Sequence, residues 1–157
     1  MRTPNMHITA ILLLAVASLL APDPMMGTWQ ADLRASTLPA GFPELRSQEM
    51  ELRMVAGKLQ CSTKRLTLQG AETRGDFTAA FDGKRYAVTG MPGIVTVSLH
   101  KYPAFIEADF FSGTAPVFSY RMWISRKDDT LVIISIDSVT RAVLHARIVY
   151  RREPVVH

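Results

Sequence analysis

The chain has 157 residues, a formal net charge of +4 and a single cysteine, Cys61. Its basic residues are scattered rather than clustered, which argues against nucleic acid as a partner. One cysteine cannot form an internal disulfide, so stability has to come from apolar burial and backbone hydrogen bonds. We expect Cys61 to be a small, half-buried strand residue, with a reactive or intermolecular thiol as the alternative.

The first 21 residues have the features of a secretory signal peptide. Arg2 precedes an apolar run from Ile8 to Leu20, and Pro22-Asp23-Pro24 follows it. The run is shorter than the roughly 20 apolar residues that a membrane-spanning helix needs. The sequence therefore predicts a signal peptide over 1–21 and one exported domain over 22–157, periplasmic or secreted, without a membrane span after cleavage. An uncleaved anchor is the alternative.

Most of the remaining chain alternates apolar and polar residues, the period of half-buried β-strands. The first strand contains Gly27-Thr28-Trp29, and the next covers 49–56. A tight turn at Ala56-Gly57-Lys58 joins it to a returning strand over 59–68. Further along, Asp82-Gly83 favours a second hairpin, because glycine tolerates the positive φ of a type I′ turn.

The alternation continues to the end of the chain. Further strands are predicted around 95–99, 106–110, 118–124, 132–136 and 144–150. A sandwich or a barrel accommodates many short strands joined by hairpins, and only closure removes both exposed edges. We therefore predict an all-β fold, a closed antiparallel up-and-down barrel of 8 to 10 strands.

Several motifs resemble those of small lipocalin-like proteins that bacteria export, within the calycin superfamily. They are Gly27-Thr28-Trp29, the segments 81–86 and 124–131, and Val149-Tyr150-Arg151, so that the resemblance covers residues 27–152. It implies that Trp29 closes one barrel end beneath an arginine of the last strand, Arg151 or its neighbour Arg152, with Arg151 preferred. Asp129 departs from the pattern, since such proteins often have glycine there. The resemblance implies a fold more than an activity.

The apolar faces of the strands are expected to surround a cavity for a small hydrophobic, lipid-like molecule bound non-covalently. Methionine adapts to varied shapes, which favours broad binding. The alternative is a structural or interaction barrel with a filled interior, whose protein partner the sequence does not identify. A cavity of a few hundred Å³ would distinguish the carrier from the filled barrel. The expected ligand-binding residues are Met54, Val97, Leu99, Phe118, Tyr120, Met122, Ile134 and Ile148, within a wider lining that includes Met50, Leu52, Val95, Ile106, Ile136 and Leu144.

Polar residues offer few candidates for chemistry. Arg147 and Tyr150 are three residues apart, so they point to opposite faces of a strand and cannot bind one carboxylate unless a bulge intervenes. Arg121 with Arg147 is a better cationic pair, although we expect both to face solvent. Glu107 and Asp109 share a strand face and could act as acid and base, but we expect solvated surface charges there.

A second candidate chemistry is haem binding. Leu144-His145-Ala146 near the end of a barrel that starts on a tryptophan is similar to nitrobindin-type barrels, in which a histidine of the last strand ligates iron. His145 is isolated in a polar series, so a surface or hydrogen-bonded histidine is the favoured interpretation. We therefore expect no catalytic residues, no metal site and no cofactor.

Overall fold

Ten antiparallel strands form a closed barrel in a computed structural model, which describes residues 22–154. Each strand pairs with its neighbours in the chain, and β1 pairs with β10 to close the sheet. The all-β class and the closed antiparallel barrel are thus confirmed, whereas the signal peptide prediction lies outside the described residues. The strands are β1 Gly27–Ala31, β2 Leu45–Val55, β3 Lys58–Thr67, β4 Glu72–Ala79, β5 Arg85–Thr89, β6 Thr96–Lys101, β7 Ile106–Ser112, β8 Ala115–Ser125, β9 Thr130–Asp137 and β10 Val143–Arg152.

The β2–β3 hairpin is one of the longest pairings in the sheet and has the tight turn that the sequence predicts. Ala56 and Gly57 both have positive φ, 49° and 75°. Positive φ at both central residues is the geometry of a type I′ turn, whose twist matches that of the flanking strands. Val55 consequently pairs with Lys58, directly across the turn.

The Asp82-Gly83 turn has the expected register but not the expected geometry. Phe77 pairs with Val88, as a two-residue turn at 82–83 requires. Only Gly83 of the two turn residues has positive φ, so this is not a type I′ turn. The Asp82 carboxylate accepts hydrogen bonds from the Lys84 backbone N–H and the Tyr86 hydroxyl, at 3.0 and 2.7 Å. These hydrogen bonds of the aspartate side chain compete with the backbone hydrogen bonds between strands. Strand β4 ends at Ala79, before the turn.

The barrel has two different ends. The closed end carries the turns that follow β2, β4, β6 and β8, and the side chain of Trp29 is fully buried there. The open end carries the other turns together with the long segment 32–44. Apolar side chains from all ten strands fill most of the space between the two ends. No helix within residues 22–154 is long and apolar enough to cross a membrane.

Candidate functional site

Trp29 and Arg152 close the floor of the barrel. The guanidinium carbon of Arg152 lies 4.2 Å from the centre of the indole, a cation–π contact. Its terminal nitrogens donate to the carbonyl oxygens of Met26 and Pro24, at 2.9 and 2.5 Å. The indole N–H donates to the carbonyl oxygen of Met25 at 3.0 Å. The residues just before β1 are thereby fastened across the closed end.

The arginine preferred from the sequence, Arg151, does not make this contact. Arg152 is the residue that pairs directly with Trp29 across β1 and β10, so both side chains point to the same side of the sheet. Arg151 points outward, and its Nε donates to Asp32 at 2.8 Å. The closing arginine is therefore corrected from Arg151 to Arg152.

Two adjoining cavities lie near the open end of the barrel. One is in the interior, and the other is at the open end itself. The inner cavity has a volume of about 30 Å³, enough for about two water molecules. The second cavity, which we call the mouth pocket, has a volume of about 290 Å³. Arg65, Met91 and Tyr120 line both cavities and so form the boundary between them. The rest of the mouth pocket is formed by Phe42, Pro92, Gly93, Ile94, Val117 and Phe118.

Met91 is held at this boundary by the close packing of two glycines. A side-chain carbon added at Gly75 would lie 2.7 Å from Cγ of Met91. One added at Gly90 would lie 1.9 Å from the carbonyl oxygen of Arg74, and Gly90 has φ of +74°. Only glycine permits both this backbone conformation and this approach of the β5–β6 turn to β4. The side chain of Met91 consequently reaches over Gly75 to the wall of both cavities.

A polar cluster forms the upper part of the inner cavity. The Gln48 amide donates to the Tyr150 hydroxyl, and its oxygen accepts a hydrogen bond of 3.2 Å from Nε of Arg65. Burial raises the pKa of Tyr150 and of Tyr120, although the nearby charge of Arg65 opposes the shift in both. Both hydroxyls therefore stay protonated at neutral pH and can donate hydrogen bonds.

The structure brings together half of the residues expected to bind a ligand. Phe118 lines the mouth pocket, Tyr120 lines both cavities, and Met122 and Ile148 line the inner cavity. Val97 and Leu99 are fully buried, but in a packed part of the core that reaches neither cavity. Four members of the expected set thus line a cavity, while Val97 and Leu99 belong to the packed core.

Met54 and Ile134 lie away from both cavities. The pairing of β2 with β1 ends at Leu52, so Met54 belongs to a hairpin tip that projects beyond the barrel wall and is 43% exposed. Ile134 pairs with Arg121 and belongs to the outer face of β9, whereas Ile133 lines the inner cavity. Strand β9 is apolar on both faces, so alternation alone does not show which face is internal. Both residues are therefore removed from the expected lining.

Three residues of the wider predicted lining also lie outside the barrel. Val95 and Leu144 are 54% and 40% exposed. Ile136 is buried, but it shares the outer face of β9 with Ile134. Strand ends extend past the space that a barrel encloses, so residues with inward parity can still face solvent there.

The outer face of β7 and β8 carries a network of ion pairs. Glu107 accepts hydrogen bonds from Arg121 and Arg141, at 2.7 and 2.6 Å, and its side chain is only 8% exposed. Burial alone would raise the pKa of Glu107, but the two arginines lower it overall. The expectation of a solvated charge is therefore wrong for Glu107. Arg141 has φ of 58°, a conformation that is uncommon for residues other than glycine.

The cationic pair considered from the sequence does not line the interior. Arg121 is on the outer face, where it binds Glu107 and covers the ring of Phe105 at 4.9 Å. Arg147 is exposed, and the Tyr150 side chain is fully buried, so the two lie on opposite faces of β10. Neither arginine reaches a cavity wall.

Ser98, His100 and Asp109 also meet on the outer face, but not as a catalytic triad. The Ser98 hydroxyl and the Asp109 carboxylate both approach Nε2 of His100, at 3.3 and 3.7 Å. A triad needs the two partners on different ring nitrogens, so that one orients the ring while the other exchanges a proton. The Ser98 hydroxyl instead donates to the Gly83 carbonyl oxygen at 3.1 Å.

Metal and haem ligands were the remaining chemical candidates. Within the described residues, no group of three or more His, Cys, Asp or Glu side chains could hold a metal ion. The side chain of His145, considered as a haem ligand, lies outside the described part of the structure.

Cys61 lines the inner cavity and is more deeply buried than expected, with 4% of its surface exposed. Burial raises the pKa of its thiol to about 12. At pH 8 we therefore expect the thiol to stay protonated and unreactive. The native protein should not react with Ellman's reagent over an hour, whereas protein unfolded in guanidinium chloride should release one thiol per chain. Rapid reaction of the native protein would contradict this burial.

The functional residues that sequence reasoning missed are Arg65 and Gln48. Leu59, Cys61 and Thr63 occupy alternate positions of β3 and are buried, and Arg65 is the next residue of that series. Alternation thus places Arg65 inside the barrel, and this was the available signal. Gln48 bears the same relation to Met50 and Leu52 on β2.

The fold and the site define a small antiparallel barrel with a closed floor, a nearly filled interior and a pocket at its open end. Comparison of the chain with protein-family models, with curated proteins and with solved structures finds no match.

Proposed function

We propose that this protein is an exported lipocalin-like barrel that binds a small hydrophobic molecule non-covalently in the mouth pocket. The observation that carries the proposal is the pocket of about 290 Å³ at the open end, walled by Phe42, Met91, Ile94 and Phe118. Ligand pockets begin at about 300 Å³, so the ligand has to be compact. The leader at residues 1–21 supports export to the periplasm or the medium.

The proposed ligand site lies at the mouth of the barrel and not in its interior, where the sequence predicted it. A cavity of about 30 Å³ cannot hold an acyl chain or a ring. The mouth pocket is open to solvent and lies beside the segment 32–44, which contributes Phe42. Binding there needs no rearrangement of the packed core, and dense cores resist such rearrangement.

The filled interior favours a second candidate, a structural barrel that acts through surface contacts. The floor residue Trp29 and the core residues Leu52, Leu59, Val97 and Leu99 are completely buried, which leaves little internal space. A barrel of this kind would take up no small apolar molecule.

Titration with N-phenyl-1-naphthylamine, a neutral apolar dye, separates the two candidates. We expect its fluorescence to rise on binding to the wild-type protein, and Val117→Arg to weaken binding at least tenfold by placing a charge in the mouth pocket. Val117 is 44% exposed, so the substitution should not unfold the barrel. The matched control is Val143→Arg, at a 60% exposed valine that lines neither cavity.

Two results of the dye titration would overturn the proposed function. No dye binding to the wild-type protein would favour the structural barrel. Equal binding by all three proteins would show that the dye binds outside the mouth pocket, which would overturn the proposed site. Native mass spectrometry of protein purified from its own host should in addition show the added mass of a co-purified small molecule.

A further inference from the structure

We infer that the mouth pocket selects a compact apolar monocarboxylate, whose anionic end binds Arg65 and the Tyr120 hydroxyl at the base of the pocket. The inference rests on the proposed function and adds the chemical class of the ligand. It places the apolar part of the ligand against Phe42, Met91 and Phe118.

Arg65 is a cation at the boundary of the two cavities with capacity to bind an anion. Its Nε donates to Gln48, and its guanidinium carbon lies 5.3 Å from the ring centre of Phe42. It forms no ion pair with a carboxylate anywhere in residues 22–154. A partly buried guanidinium without a counter-ion favours an anionic ligand, because the paired charge offsets the cost of removing it from water.

Arginines that have partners of their own differ from Arg65 in this respect, and those that also lack an ion pair, such as Arg46, Arg85 and Arg147, are exposed. Arg121 and Arg141 bind Glu107 on the outer face, and Arg151 binds Asp32. The terminal nitrogens of Arg152 donate to backbone carbonyl oxygens at the closed end. The terminal nitrogens of Arg65 have no hydrogen-bond partner among the described residues, so they can meet a carboxylate in the bidentate geometry that arginine favours.

Tyr120 supplies a second donor at the same place. It lines both cavities together with Arg65, and its hydroxyl makes no hydrogen bond to another residue of the described chain. The neighbouring Tyr150 hydroxyl is already engaged by Gln48, which in turn orients Arg65. The polar base and the apolar wall of the mouth pocket thus match an amphiphilic molecule with one carboxylate at its end.

Octanoate and 1-octanol test this inference, since they share a chain length but only octanoate is charged. Each competes with N-phenyl-1-naphthylamine for the wild-type protein at pH 7.5. We expect octanoate to compete at least tenfold more strongly than octanol. Arg65→Met, which keeps an apolar stem, should weaken octanoate at least tenfold and octanol by less than threefold, so that most of the preference for octanoate is lost.

Two further variants keep the test interpretable. Arg46→Met removes an exposed arginine that donates to the Leu68 carbonyl oxygen at 3.3 Å, and it should change neither affinity. Tyr120→Phe removes only a hydroxyl and should weaken octanoate about threefold and octanol by a smaller factor, because a hydrogen bond to a charged acceptor is the stronger one. Thermal melts of each variant show whether the barrel is intact, and Tyr120→Phe decides the matter if Arg65→Met does not fold.

The outcomes separate the inference from the function on which it rests. Equal octanoate affinity for the wild type, Arg65→Met and Tyr120→Phe would overturn the inference, as would tighter binding of octanol than of octanoate. Both results leave a hydrophobic site in the mouth pocket intact. Failure of the dye itself to bind would instead remove the proposed function.

Discussion

Replacement of Trp29 by alanine is expected to lower the free energy of unfolding by about 3–5 kcal/mol, the range for large aromatic side chains removed from a core. The Trp29 side chain is fully buried, contacts Arg152 and donates a hydrogen bond to Met25. All three contributions are lost together. Since small domains unfold with about 5–15 kcal/mol in total, the variant should be close to the limit of stability. Urea unfolding followed by circular dichroism measures the difference.

Two control variants show whether the loss of stability is specific to Trp29 at the closed end or is common to any tryptophan of the barrel. Trp29→Phe keeps an aromatic ring but loses the indole N–H, so it should lose less stability than Trp29→Ala. Trp123 is half-buried and pairs with Val132, on the outer face of β8. We expect Trp123→Ala to lose less than half as much as Trp29→Ala. Equal losses at positions 29 and 123 would show that the floor is not a special source of stability.

Glu107→Gln should lower the free energy of unfolding at pH 7 by about 2–3 kcal/mol. Breaking a buried ion pair costs about 3–5 kcal/mol, and we reduce this value because Arg121 and Arg141 are 37% and 42% exposed. The glutamine keeps the shape and some hydrogen bonds but removes the charge that both arginines bind. Urea unfolding of the two proteins in parallel gives the difference.

The same substitution should change how stability depends on pH. The two arginines lower the pKa of Glu107 in the folded state below the ordinary value of 4.5. A lowered carboxyl pKa contributes stability that is fully present above the ordinary pKa and is lost as the pH falls through the folded pKa. The difference between the wild type and Glu107→Gln should therefore shrink below pH 4.5.

A surface glutamate provides the matched control. Glu72 also binds two cations, Lys64 and Arg74, but its side chain is 43% exposed. Glu72→Gln should cause a much smaller loss at pH 7, because solvent screens exposed pairs. A loss at position 107 that stays constant from pH 7 to pH 3 would contradict the role of the Glu107 charge.

The candidate site was only partly visible in the sequence. Alternation placed Phe118, Tyr120 and Met122 on one face of β8, and all three line a cavity. It could not locate the cavities, because cavity volume depends on how side chains from many strands fill the interior together. The polar side chains Arg65 and Gln48 of the cavities were not predicted, because arginine and glutamine usually lie at the surface.

The sequence by itself determined an all-β chain, because period-two alternation and turn residues are local properties that act over a few positions. It also indicated closure, since ten short strands leave edges that only a barrel removes. The tertiary structure alone decided which face of β9 is internal, which of Arg151 and Arg152 covers Trp29, and that Glu107 is buried between two arginines. These outcomes depend on strand register and on what lies across the sheet, and residues distant in the chain supply both.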